Sequence, residues 1–287
     1  MNAKPRGQQL NQVEAQERHA VVAVDLGNSA AKWAIDDQAE RRISLRFPDW
    51  SERLIEEVGG AVENRTASWR IASVNRPITK QLIGRLKEIS PDCDVKTISF
   101  DDIPMVVCVA NPDRVGIDRL LAAWMCTKLY PNTSSIVVDA GSAITVDVVS
   151  KDAEFLGGAI LPGLALQFDS LARGTDALPA IDLVADAEQE ITADLLPMPA
   201  TDTISAIRSG ILLGVAAAID GLIQYRLNRS QSDHDNASHT QIVFTGGDAA
   251  LLSRLTRHSH SLAPRLVLDA IGAIDRERML NRTTQNI

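Results

Sequence analysis

Val21-Val22-Ala23-Val24-Asp25-Leu26-Gly27-Asn28-Ser29-Ala30-Ala31-Lys32 is a valine-rich run that ends abruptly in an acid, a glycine, an amide and a hydroxyl. Such a run reads as a buried strand delivering polar groups to a turn. Ala30 to Ile35 is short and mostly apolar and stops at Asp36-Asp37, which predicts a second strand folding back on the first around a tight turn at Leu26–Ser29. Gly27 lets the backbone approach a ligand closely. The turn amides and the Ser29 hydroxyl can donate to phosphate oxygens, and Lys32 can neutralise their charge. Asp25 can hold a hydrated magnesium ion, which takes one or two carboxylates together with substrate phosphates.

A strand ending in Asp-x-Gly is common as an ordinary turn, but a second copy changes its weight. Ser135-Ile136-Val137-Val138-Asp139-Ala140-Gly141-Ser142-Ala143-Ile144-Thr145-Val146-Asp147-Val148-Val149 repeats the order of apolar strand, Asp, x, Gly, hydroxyl and second strand. The separation is too long for a solenoid repeat and fits a duplicated half-domain.

The totals set bounds. The chain has 287 residues, enough for one large or two modest domains, and 45% of them are hydrophobic, which predicts a globular protein. A formal net charge of −8 argues against nucleic acid or an anionic membrane as partner, since both need clustered Lys and Arg. Met1 to Ala20 is polar and lacks the apolar core of a signal peptide, so residues 1–20 are expected to form a disordered extension. The apolar stretch Ile211–Ile219 is broken by Gly214 and followed by Asp220, and no membrane span is expected. Cys93, Cys108 and Cys126 lack C-x-x-C spacing and read as reduced, buried thiols of a cytoplasmic protein.

Strands and helices alternate along the first half. Strands are predicted at Arg41–Phe47, Trp69–Val74 and Val95–Ile98, and helices at Trp50–Val62 and Ile78–Ile89, giving an α/β layer structure. Val109-Ala110-Asn111-Pro112-Asp113-Arg114-Val115-Gly116-Ile117-Asp118-Arg119 leads from an Asn-Pro turn into a helix that runs to about Tyr130. Asp118 then lies in the first helical turn, where an acid can simply offset the helix dipole. It can also face a cleft and take a proton from a substrate hydroxyl while Arg119 holds a substrate anion. A helix start between two phosphate hairpins is where an acceptor alcohol would lie, which favours the second account.

The second half continues with a strand at Glu154–Leu161, helices at Leu164–Arg173 and Thr203–Leu227, and an acidic surface segment at Asp182–Leu195. A polar loop is predicted at Asn228–Thr240, whose His234 and His239 lack metal-ligand company. Gln241–Thr245 reads as a strand ending at Gly246-Gly247-Asp248, followed by a helix at Ala249–Arg257. That junction could accept a nucleoside or phosphate, or serve close packing. Arg265–Leu268 reads as a last strand and Ala270–Asn281 as a final helix.

Two Asp-x-Gly hairpins, the late Gly-Gly turn and the absence of G-x-x-x-x-G-K-[ST] predict a nucleotide cleft between two related domains and no P-loop. This pattern resembles the actin-like ATPase superfamily of sugar kinases and heat-shock ATPases, with ribonuclease H-like domains of mixed sheet and flanking helices. Within it the chain resembles the type III pantothenate kinases. Asp25-Leu26-Gly27-Asn28-Ser29-Ala30-Ala31-Lys32 matches their first phosphate motif, with Ser29 for the usual threonine. Gly116-Ile117-Asp118-Arg119 matches their Gly-x-Asp-Arg motif, and Asp139-Ala140-Gly141-Ser142 their second phosphate motif. Leu156-Gly157-Gly158-Ala159-Ile160-Leu161-Pro162-Gly163 and Thr175-x-x-Leu178-Pro179 also fit.

The resemblance implies ATP-dependent phosphorylation of pantothenate in an N-terminal domain (21–130) and a C-terminal domain (131–287). It implies Asp118 as catalytic base, and Gly116, Ile117, Arg119, Val109 and Thr175 along the substrate. It implies ATP at residues Asp25 to Lys32 and at Ser142, with magnesium near Asp25. Potassium or ammonium would sit at Asp139, and the enzyme would be a homodimer. The family usually has tyrosine where this chain has Val109; valine keeps an apolar wall and loses a hydroxyl. Two other readings stay open at this level: an idle relative that binds nucleotide and regulates a partner, and a kinase of the same fold for another small alcohol. Retention of Asp25, Asp118 and Asp139 counts against the first, and Val109 keeps the second open.

Overall fold

The computed structural model describes residues 19–36, 38–62, 65–181, 191–232 and 240–285. The valine run is the middle of a five-stranded sheet. Strand β1 (His19–Leu26) pairs antiparallel with β2 (Ala30–Ile35) and parallel with β4 (Thr66–Ser73), and β3 (Arg41–Ser44) and β5 (Asp94–Thr97) complete the order β3-β2-β1-β4-β5. A central strand is covered on both faces, which is why its sequence is apolar almost without alternation. Val22, Val24 and Leu26 share a core with Trp33, Ile35, Trp69 and Ile71. Two helices contribute to that core. Helix α1 (Trp50–Val62) presents Trp50, Leu54, Val58 and Val62 at four-residue spacing. Helix α2 (Arg76–Ile89) buries Leu82 and Leu86; the Asn75 side chain caps its start by accepting from the Ile78 amide at 3.4 Å.

On the opposite side of β4, Arg70 is 1% exposed and pairs with Asp275 of the C-terminal helix and, at 2.8 Å, with Asp94. Burial pushes the Asp94 carboxyl up, but hydrogen bonds from Arg70 and Ser68 outweigh it and hold it below the usual carboxylate range. Ser68 Oγ also meets His19 Nε2 at 2.7 Å.

The second sheet repeats the first. Strand β7 (Ser135–Ala140) pairs antiparallel with β8 (Ala143–Val149), β8 with β9 (Glu154–Pro162), and β7 lies parallel to β10 (Gln241–Thr245), with β11 (Ser261–Leu262) beyond it. The run β9-β8-β7-β10-β11 reproduces β3-β2-β1-β4-β5 strand for strand, with a short β6 (Val106–Val107) added at the β9 edge. The duplication inferred from two motifs is thus a duplication of whole sheets. Helices α3 (Ile117–Leu129), α4 (Leu164–Gly174), α5 (Thr203–Ser232) and α6 (Ala249–Ser253) follow in chain order, and α7 (Leu266–Gln285) ends it.

By contacts the chain forms two units. One runs to Ile103 and includes Gly116–Asp118 and Val267 onward; the other is Pro104–Val115 with Arg119–Leu266. These bounds cut the chain elsewhere than 21–130 and 131–287, because β6 pairs with β9 and α7 returns to Arg70.

Several local expectations need correction. Leu266–Leu268 begins helix α7 and is not a strand: a short apolar run has no period to tell the two apart, and the edge strand lies earlier, at Ser261–Leu262. Helix α5 runs on to Ser232, past the predicted loop start at Asn228, and α6 stops at Ser253. Strand β1 starts at His19, inside the expected extension; residues 1–18, 182–190, His234 and His239 lie outside the described residues.

Helix α5 is long and apolar enough over Thr203–Arg229 to cross a membrane by composition alone. Its Ile207, Ile211, Val215, Ile219 and Ile223 pack instead into the second unit's core with Val138, Val146 and Phe244. A stripe at this spacing buried on a sheet is what a core helix needs.

Cys126 is buried as expected, whereas Cys108 is exposed and Cys93 half-buried. Burial pushes the Cys126 thiol up to about 12, so it stays protonated. A thiol-specific reagent at pH 8 should label Cys108 first and reach Cys126 only on unfolding; mass spectrometry of the labelled peptides checks the order.

Candidate active site

The first turn is built where β1 hands over to β2. Asp25 lies opposite Lys32 and Leu26 opposite Ala31, and the Gly27 amide donates to the Ala30 carbonyl at 3.1 Å. The end of β4 braces it: Ser73 Oγ and the Val74 amide both donate to the Leu26 carbonyl, at 3.2 and 3.3 Å. Asn28 and Ser29 are exposed at the tip, with Asn75 Nδ2 3.5 Å from Asn28 Oδ1. Leu26, Ala30 and Ala31 are buried, so only their main-chain groups could serve a phosphate. Asp25 and Lys32 are half-buried and, as cross-strand partners, emerge on one face of the sheet.

The second turn is one residue shorter. Ala140 pairs with Ile144, and the Gly141 amide donates to Ala143 at 3.0 Å. Two glycines press on it. A Cβ at Gly163 would lie 2.3 Å from the Gly141 carbonyl, and one at Gly246 (φ +96°) would lie 2.4 Å from Asp139 Oδ1. The Gly246-Gly247 turn after β10 therefore packs directly on Asp139, and the Asp248 amide donates to the Ala140 carbonyl at 2.9 Å. Ser142 is half-buried beside Gly163, whose amide donates to its carbonyl at 3.2 Å.

Asp118 is half-buried in the first turn of α3, two residues after Gly116. Arg119, next to it, grips the Asp147 carboxylate: Nε lies 3.1 and 3.0 Å from the two oxygens, and Nη2 also meets Oδ1. Its Cζ sits 5.5 Å from the centroid of the Phe155 ring. Val109 Cγ1 would lie 3.3 Å from a Cβ on Gly157, so valine here packs on that glycine of β9. Thr175 is exposed at the end of α4 with its hydroxyl donating to the Leu171 carbonyl at 2.7 Å. The structure thus groups Asp139 and Ser142 with Gly163 and Gly246, and Arg119 with Asp147 and Phe155. Asp147 is the member that sequence reading passes over, since one acid inside Ala-Ile-Thr-Val-Asp-Val-Val has no motif of its own.

No group of three or more His, Cys, Asp and Glu side chains among the described residues could form a metal cage. A magnesium ion arriving with phosphates needs less, and Asp25 beside the first turn fits that demand. For a monovalent cation, Thr145 lies directly across from Asp139, and its buried Oγ1 has no hydrogen-bond partner. An orphaned buried hydroxyl facing a carboxylate is the oxygen pair that such an ion could satisfy.

A profile of type III pantothenate kinases matches residues 21–225. The type III pantothenate kinase of Rhodopirellula baltica is 36% identical over 257 residues, covering 80% of this chain and 89% of the relative. Two solved structures share the fold: MreB5 of Spiroplasma citri bound to ADP (TM-score 0.53, 11% identity, 94% of this chain and 100% of that one) and an activator of 2-hydroxyisocaproyl-CoA dehydratase from Clostridium difficile with bound ADPNP (TM-score 0.52, 15% identity, 93% and 98%). The fold is that of the actin-like ATPases and sugar kinases, and the chain belongs to the type III pantothenate kinase family.

Proposed function

We propose that this chain transfers the γ-phosphoryl group of ATP to the primary hydroxyl of pantothenate, giving 4′-phosphopantothenate, the first step of coenzyme A synthesis. The observation that carries the reading is the pair of like-built sheets, each ending its central strand in an aspartate and a glycine turn. Asp118 would orient the hydroxyl and take its proton. The amides of the two turns, Ser29, Ser142 and Lys32 would hold the ATP phosphates, and Asp25 would retain through water the magnesium ion that shields their charge. Asp139 with Thr145 would hold potassium or ammonium. Gly116, Ile117, Val109 and Arg119 would line the pantothenate. Phosphoryl transfer asks little covalent chemistry of a protein, so most of the acceleration must come from positioning and charge stabilisation.

A homodimer in the cytoplasm fits the same reading, with Thr175 reaching the partner's substrate. Strand β9 turns Leu156 and Ile160 outward on one face, Ile160 at 63% exposure, which gives a second copy an apolar surface to cover. One observation favours the rival of a kinase for another alcohol. Val109 stands where the family usually has a tyrosine, and the loss of a hydroxyl contact to the substrate would weaken binding by about 0.5–1.5 kcal/mol. A coupled ATP-consumption assay with and without pantothenate, in potassium and in sodium, tests both. Turnover that needs pantothenate and potassium is expected. Consumption of ATP with an unrelated alcohol and none with pantothenate would overturn the substrate.

A further inference from the structure

We infer that Asp147 is a positioning residue for Arg119, and that Gly158 is what allows the two to meet; this role rests on the proposed pantothenate kinase reading. Asp147 lies in the interior of β8, between Val137 of β7 and Gly158 of β9, and is 2% exposed. A carboxylate so deep in an apolar sheet is costly unless paired, and a buried ion pair is a weak source of stability compared with apolar side chains of similar volume. What the pair does supply is direction. Both carboxylate oxygens hold the Nε–Nη2 edge of Arg119, fixing the plane of the guanidinium, while the Phe155 ring lies 5.5 Å from its Cζ.

Held in this plane, Arg119 is the group that the pantothenate kinase reading sets against the substrate anion. With its charge offset by Asp147, Arg119 offers shaped hydrogen bonds more than net positive charge, which suits a single carboxylate such as pantothenate carries. The glycine pair makes room. A Cβ at Gly158 would lie 2.2 Å from the Val146 carbonyl, 2.5 Å from Asp147 Oδ1 and 2.7 Å from its Cα, so any other residue would force β9 away from β8 beside the carboxylate. Gly157, at φ +92°, meanwhile receives Val109. The Leu156–Gly163 motif thereby sets two residues of the substrate wall at once.

A double-mutant cycle on the full chain tests this. Asp147→Asn should raise the pantothenate KM by about tenfold or more and leave the ATP KM within about twofold. In an Arg119→Gln background the same change should add less than about twofold, because Asp147 acts through Arg119. Asp147→Glu should recover part of the loss. Should Asp147→Asn fail to fold by circular dichroism, Asp147→Glu, which keeps the charge and moves the carboxylate by one methylene, replaces it with a smaller shift in the same direction. Additive losses, or equal shifts in both KM values, would overturn the role while leaving the kinase reading intact. A folded wild type inert toward pantothenate would overturn both.

Discussion

Asp118→Asn should lower pantothenate-dependent kcat by roughly 10²–10⁴-fold, the range that general-base catalysis commonly supplies, if Asp118 is the base proposed above. The substitution keeps the shape of the side chain and removes its charge and its ability to accept a proton. It sits in the first turn of α3, where an asparagine preserves the backbone and costs the helix a few tenths of a kcal/mol through the lost dipole interaction, so folding should survive. ATP binding, followed by a fluorescent nucleotide, should be nearly unchanged, because the turns proposed to hold the phosphates, Asp25–Lys32 and Asp139–Ser142, do not include this residue. Unchanged turnover would remove Asp118 from the chemistry and leave only the dipole role.

How far the sequence could be read depended on whether the determining contacts were local. The two Asp-x-Gly turns were legible because strand, glycine and hydroxyl lie within a dozen residues, and the structure places both at strand ends in matching sheets. Helix α1 was legible to the residue, since Trp50, Leu54, Val58 and Val62 carry a clean period. Asp147 was not legible: its significance lies in Arg119, 28 residues back, and in Gly158, its cross-strand partner on the next strand. The start of α7 was misread because Leu-Val-Leu is equally good in a strand, and all three residues are buried; what marks a helix is the continuation at Ala270 and Ile271, spaced three and four from Val267, and at Ile274, spaced four and three from those two. Nor could the division of the chain be read locally. The return of α7 to the first sheet is marked by an ion pair between residues 205 positions apart, which no local pattern announces.

That pair carries the largest stability effect expected. Asp275→Ala should destabilise the protein by about 3–5 kcal/mol, since it leaves Arg70 as a buried cation. Arg70 is 1% exposed and Asp275 5%, whereas its other partner, Asp94, is 42% exposed and too well solvated to compensate. Urea denaturation followed by circular dichroism measures the loss directly. The double variant Arg70→Met, Asp275→Leu separates an unpaired charge from lost packing. If the cost of the single change is a stranded guanidinium, apolar side chains at both positions should recover most of it, and the double variant should be more stable than Asp275→Ala. Equal losses in both would mean instead that the geometry of the pair, and not its charge balance, holds α7 to β4. The already unpartnered Oδ2 of Asp275 favours the first outcome, because the native pair itself leaves a buried acceptor unsatisfied and so has little net stability to lose to an apolar replacement.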